Sequence, residues 1–113
     1  MKVLVLDDGH KRVAQMLEEM EKKNIEAVDC STSNCFLDSL NTSQFDSLLM
    51  NVETWEKGRS IYEYFGINQK LENTPIVFYN ADETFSSLNN RTPHDRDQVL
   101  YKPSDVDSVV GAL

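Results

Sequence analysis

Three short apolar runs limit what this chain can fold into: Lys2–Leu6 (KVLVL), Ser47–Val52 (SLLMNV) and Ile76–Tyr79 (IVFY). They are rich in aliphatic and β-branched side chains and lack the apolar–polar alternation of a sheet with one wet face. Each therefore reads as a strand buried on both faces. Strands of that kind need helices above and below them, and the intervening sequence supplies helical spacing. Val13, Met16, Leu17 and Met20 form one apolar stripe, with Lys11, Arg12, Glu18, Glu19, Lys22 and Lys23 on the remaining surface.

The other elements are shorter. Asn24 ends the first helix and Ile25–Val28 is a second strand. Ser31, Thr32 or Ser33 caps a helix that carries Cys35, Phe36 and Leu40 inward. Glu53–Lys57 reads as a loop, and Ile61, Tyr64, Phe65 and Leu71 as a less regular helix interrupted near Gly66. Thr74-Pro75 opens the Ile76–Tyr79 strand with its proline where a missing donor is tolerated, and Asn80 closes it. Ala81, Phe85 and Leu88 hint at a further helix. Val99–Tyr101 is a fifth strand, and Ser104 with Asp107 has the form of a capping box before the stripe Val106, Val109, Val110 and Leu113.

Five strands alternating with helices imply a flavodoxin-like, three-layer α/β/α fold, with a five-stranded parallel sheet in the order 2-1-3-4-5. Such a fold places its site beyond the carboxyl ends of the strands. Asp7, Asp8, Asn51, Asn80 and Lys102 should therefore converge, since each is the polar residue that ends a strand.

At 113 residues the chain makes one domain, 1–113, with roughly 65% of its unfolded surface buried. A formal charge of -8 leaves no cluster of Lys and Arg for phosphate backbones, so direct nucleic-acid binding is excluded as a role of this domain. No apolar run reaches the length of a membrane span, and a cytoplasmic location is expected. Cys30 and Cys35 fit no zinc spacing and read as two reduced, partly buried thiols. His10, near the start of the first helix, reads as a solvent-facing residue, and His94 falls in a polar loop.

The Asp7-Asp8 pair after strand one, a polar residue after strand three, Asn80-Ala81 after strand four and Lys102-Pro103 after strand five closely resemble the receiver domain of two-component response regulators. The resemblance spans the whole chain in order. It implies a phosphoryl group taken from a histidine kinase onto an aspartate at the end of strand three, with Mg²⁺ held there by that aspartate, the acidic pair and a backbone carbonyl. The matching positions are Asn51 for the acceptor, Asp7, Asp8 and Glu53 for the metal, Asn80 for the switch hydroxyl, Val99 for the switch aromatic and Lys102 for the phosphate contact.

Three of those positions depart from the pattern. Asn51 offers a neutral amide where an anionic oxygen is needed as nucleophile. Asp46 lies five residues back, roughly 17 Å away at about 3.3 Å per residue, so it cannot substitute. Asn80 replaces a smaller hydroxyl residue, and Val99 has no ring to swing. With Asn51 neutral the cofactor expectation is none, or weakly bound Mg²⁺. At low Mg²⁺ the favoured arrangement is a charge-balanced remnant, in which Lys102 neutralises the Asp pair and Asn51 bridges it. Trp55 falls beside the site or covers apolar surface.

The function implied is an atypical receiver that acts through protein contact, with a protein partner or an attached output domain, and is not an enzyme. A DNA-binding or ATPase domain after Leu113 would suit it, and a homodimer is a further expectation. The alternatives are a receiver that still binds Mg²⁺ and accepts a phosphoryl group at a non-standard residue, such as Glu53, or a pocket reused for a small ligand.

Overall fold

A computed structural model describes residues 1–60, 71–85, 88 and 93–113. Its elements are β1 (Lys2–Leu6), α1 (His10–Lys22), β2 (Glu26–Cys30), α2 (Ser33–Thr42), β3 (Ser47–Asn51), α3 (Val52–Lys57), β4 (Ile76–Ala81), β5 (Gln98–Tyr101) and a last helix, α4 (Val106–Gly111). The five strands form one sheet in the order β2-β1-β3-β4-β5, with every neighbouring pair parallel. This is the flavodoxin-like arrangement expected from the apolar runs.

Side chains alternate across a strand, so each buried run splits into two sets. Leu4, Leu6, Leu48, Met50, Ile76 and Phe78 pack with Phe36 and Leu37 of α2 and with Val52 and Trp55 of α3. Val3, Val5, Leu49, Val77 and Tyr79 pack with Met16 and Met20 of α1 and with Val109 and Val110 of α4. The sheet is thus the middle of three layers. Full burial of each aliphatic side chain is worth about 1.5 to 3 kcal/mol, which is why runs without alternation are stable only at the centre.

Several boundaries have clear local causes. Asn24 takes a left-handed backbone, φ 59°. Its N–H donates to the Glu21 carbonyl, and that of Ile25 to the Met20 carbonyl, closing α1 with a Schellman turn. Ile25 is spent in that turn, so β2 begins at Glu26 and runs to Cys30, two residues beyond the expected end at Val28. Thr32 is the cap of α2, accepting from the Cys35 N–H at 3.3 Å.

Four expectations need correction. Glu53–Lys57 is not a loop: Val52–Lys57 is a short helix, with the Asn51 side chain as its cap, Glu53 in its first turn and Lys57 in its last, each charge favourable at its end of the helix dipole. β4 does not close at Asn80 but runs to Ala81, with an irregular register against β5. Asp105, not Ser104, caps the last helix, accepting from the Ser108 N–H at 2.7 Å. Cys30 and Cys35 are joined by a disulfide, not held as two thiols.

The helix expected from Ile61, Tyr64 and Phe65 lies outside the described residues, although Leu71 is fully buried. Of the further helix hinted at by Ala81, Phe85 and Leu88, the first residue belongs to β4 and Glu83-Thr84 form a turn tied to Asp82. The Phe85 ring meets Phe78 edge-on at 5.2 Å. Among the described residues no helix is long and apolar enough to cross a membrane.

Candidate functional site

The strand register decides which polar ends meet. Asp7 extends the alternation of Val3 and Val5, Asn51 that of Leu49, and Tyr79 that of Val77, so all three fall on the α1 side of the sheet at its carboxyl edge. Asn51 and Tyr79 are register partners. Asp8, one residue on from Asp7, falls on the side of α3. The acidic pair is therefore divided between the two layers of helix.

Asp7 is buried, and its carboxylate accepts five hydrogen bonds. Oδ1 takes the Gly9 N–H at 2.8 Å, Arg12 Nη2 at 2.6 Å and Asn51 Nδ2 at 3.0 Å. Oδ2 takes Arg12 Nε at 2.6 Å and the Tyr79 hydroxyl at 2.6 Å. The guanidinium thus grips the carboxylate with both arms of its fork, the strongest ion-pair geometry side chains form. Burial alone would raise the Asp7 pKa, but Arg12, Tyr79, Gly9 and Asn51 together outweigh it and hold the group below the usual carboxylate range. Burial first, and then the Asp7 charge, push the Tyr79 phenol far above its ordinary value, so it stays a donor.

Asp8 is half-exposed and served by α3. Thr54 donates to its Oδ1 at 3.0 Å and accepts its backbone N–H at 3.2 Å, while Lys57 Nζ lies 2.6 Å from Oδ2. The Lys57 bond is the main reason its pKa is lowered. Asn51 is buried, with its amide used at both ends: Nδ2 on Asp7, and Oδ1 accepting the Glu53 N–H at 3.0 Å.

Lys102 does not play the part expected of it. It is exposed and forms no ion pair with either aspartate; the balancing cations are Arg12 and Lys57. Asn51 does not bridge the aspartates, since it donates to Asp7 alone. Asn80, with φ 56°, is turned to the β5–α4 connection, where Oδ1 accepts the Ser104 N–H at 3.1 Å and its own N–H donates to Ser104 Oγ at 3.0 Å. Val99 is half-buried against the α2–α3 core. Trp55 is part of that core, and Glu53 points its side chain to solvent. His10 is exposed, and the Nδ1 of His94 accepts the Arg96 N–H at 3.1 Å. Asp46 sits at the far end of the sheet, bonded to the Lys2 backbone at 2.7 Å.

Arg12, Thr54, Lys57 and Tyr79 complete the cluster without having been singled out in the sequence. Tyr79 carried a signal: a phenol inside a run buried on both faces must find a partner for its hydroxyl. Arg12 read only as a charge on the solvated face of the first helix, and Lys57 only as the end of a loop.

The cluster does not fit a divalent cation. A carboxylate has about four lone-pair positions, and five donors already face those of Asp7. The Asn51 oxygen is taken by a backbone N–H, and Asp8 is held by Thr54 and Lys57. Among the described residues no group of three His, Cys, Asp or Glu side chains is placed to hold a metal ion.

No family model and no curated protein matches the sequence. Solved structures do match its fold. A response regulator from Burkholderia pseudomallei, with a phosphorylated aspartic acid, a calcium ion and citrate, superposes with a TM-score of 0.69 at 16% identity over 99% of this chain; the chain spans 65% of that protein's length. The N-terminal domain of a response regulator/sensory box/GGDEF three-domain protein from Carboxydothermus hydrogenoformans gives 0.68 at 14% identity, covering 99% of this chain and 90% of that one. A Francisella response-regulator receiver domain gives 0.60 at 20% identity, covering 96% and 89%. The fold is that of receiver domains.

Proposed function

We propose that this chain is a receiver-type signalling domain that takes no phosphoryl group on an aspartate and works by protein contact, with a partner protein or an attached output domain. The observation that carries this reading is the closed state of the strand-end cluster. Asn51 stands at the end of β3 with both ends of its amide engaged, and the Asp7 carboxylate beside it is filled by Arg12, Tyr79, Asn51 and Gly9. An amide oxygen already accepting a hydrogen bond is a poor nucleophile toward phosphorus.

The relay is altered as well as the acceptor. Asn80, at the position of the switch hydroxyl, is pinned to Ser104 by two hydrogen bonds, and Val99 has no ring to reorient. Any signal would therefore pass through binding at the surface and not through a phosphate at Asn51. The role is non-enzymatic, with Mg²⁺ absent or weakly held. A cytoplasmic location, an N-terminal place in a longer regulator of transcription and a homodimer all accord with this reading.

The test is incubation with acetyl phosphate and Mg²⁺ followed by intact-mass spectrometry. The expected mass is that of the unmodified chain. A stable phosphate adduct would sink the reading and favour acceptance at another residue such as Glu53.

A further inference from the structure

The two cations of the cluster occupy a place with its own architecture. Arg12 lies on the first turns of α1 and folds back over Gly9 to reach Asp7. A Cβ added at Gly9 would meet Arg12 Nη2 at 2.5 Å, Arg12 Cζ at 2.9 Å and Asp7 Oδ1 at 3.2 Å. Gly9 has φ -86°, which any residue can adopt, so its lack of a side chain serves the passage of the guanidinium and not the backbone. On the other side of the sheet Lys57, the last residue of α3, holds Asp8 at 2.6 Å. Two carboxylates thus face two fixed positive charges, one on each helical layer.

We propose that Arg12 and Lys57 are resident substitutes for a hard divalent cation, and that displacing them opens a Mg²⁺- or Mn²⁺-binding site at Asp7 and Asp8. This rests on reading the cluster as the counterpart of a phosphoryl-accepting strand-end site. The chemistry of the exchange is direct. A divalent ion prefers anionic oxygens with free lone pairs, and the guanidinium fork consumes one on each Asp7 oxygen while adding a positive charge where the ion would sit. Removing the fork leaves Asp7 with three donors and at least one free position, and removing Lys57 frees Oδ2 of Asp8, the next residue along the chain. The cluster is then locked by the chain itself and does not respond to divalent ions in solution.

Gly9→Ala is the sharpest test, because it displaces the guanidinium without changing any charge. Mn²⁺ is titrated into the wild type, Gly9→Ala, Arg12→Gln, Lys57→Gln and the Arg12→Gln/Lys57→Gln pair, with calorimetry and thermal melting as readouts. Lys22→Gln, which removes a surface partner of Glu19, controls for net charge. The wild type and the control should show neither heat nor a melting shift at millimolar Mn²⁺. Gly9→Ala and the double variant should bind about tenfold or more tightly than the wild type. Lys57 is exposed, so Lys57→Gln should fold even if an Arg12 variant does not, and should give a smaller gain. Mn²⁺ binding by the wild type as tight as by the variants, or no gain in Gly9→Ala and Lys57→Gln, overturns the proposal. Wild type that binds Mn²⁺ yet gains no phosphate from acetyl phosphate overturns this inference alone, whereas a phosphate adduct overturns the reading beneath it.

Discussion

Tyr79 is fully buried and donates its hydroxyl to Asp7 Oδ2 at 2.6 Å. A hydrogen bond to a charged group is worth about 1.5 to 3 kcal/mol, so Tyr79→Phe should lose about that much stability at neutral pH. The pH dependence has a definite sign. The folded pKa of Asp7 is below its unfolded value, so the stability it contributes is fully present above about pH 4 and is lost as pH falls through the folded value. Phe removes one of the donors that lower that value. The gap between Tyr79→Phe and wild type in urea melts should therefore narrow below about pH 4. A gap that persists unchanged once pH has fallen through the folded value of Asp7 would show that Asp7 is not the group the phenol serves. At this scale the sequence was half legible. The acidic pair and Asn51 were evident as strand-end residues, but Arg12 and Lys57 were not: a charged residue on an amphipathic helix looks the same whether it faces water or folds back over a glycine, and Lys57 falls at the end of a stretch that reads as a loop.

The β2–α2 connection shows how an element can be read correctly and its chemistry missed. The turn, its Thr32 cap and the inward Phe36 follow from residue types and spacing. The disulfide does not, since two cysteines separated by five residues fit a bonded pair or two thiols equally well, and the choice depends on where β2 ends. Extending β2 to Cys30 places that residue opposite Leu6 and brings its Cα within 5.5 Å of the Cys35 Cα. Closing so small a loop is worth about 2 kcal/mol in the chain-entropy account. Reduction with dithiothreitol, or Cys35→Ser, should accordingly lower the melting temperature by about 10 °C, since each kcal/mol shifts a domain of this size by several degrees. Melting that is indifferent to reductant would mean the two sulfurs are not bonded in solution. The Glu53–Lys57 segment was misread for a related reason: five residues carry too little periodicity to distinguish a helix from a loop, and the Asn51 cap is recognisable only once the end of β3 is fixed.

For the whole molecule, the sheet order was legible because it follows from buried runs alternating with helices and from right-handed crossovers. What that order assembles is less visible in the sequence, because the cluster joins β1, β3, β4, α1 and α3 through contacts distant along the chain. The same convergence predicts that a single substitution will not restore phosphoryl acceptance. Asn51→Asp returns the missing carboxylate, but it returns it beside a guanidinium already paired to Asp7, and Arg12 can then bridge the two acids and tighten its hold. Asn51→Asp alone should remain unmodified by acetyl phosphate and Mg²⁺. Combined with Gly9→Ala and Lys57→Gln, which clear the cations, it should gain a phosphate detectable by intact mass. Even then Asn80 offers no hydroxyl to follow the phosphate and is held at Ser104 by two hydrogen bonds, so amide hydrogen exchange at Asn80 and Ser104 should be unchanged by the modification. Ready phosphorylation of Asn51→Asp alone would mean that Arg12 yields its place in solution, and that the loss of function at this site rests on the acceptor only.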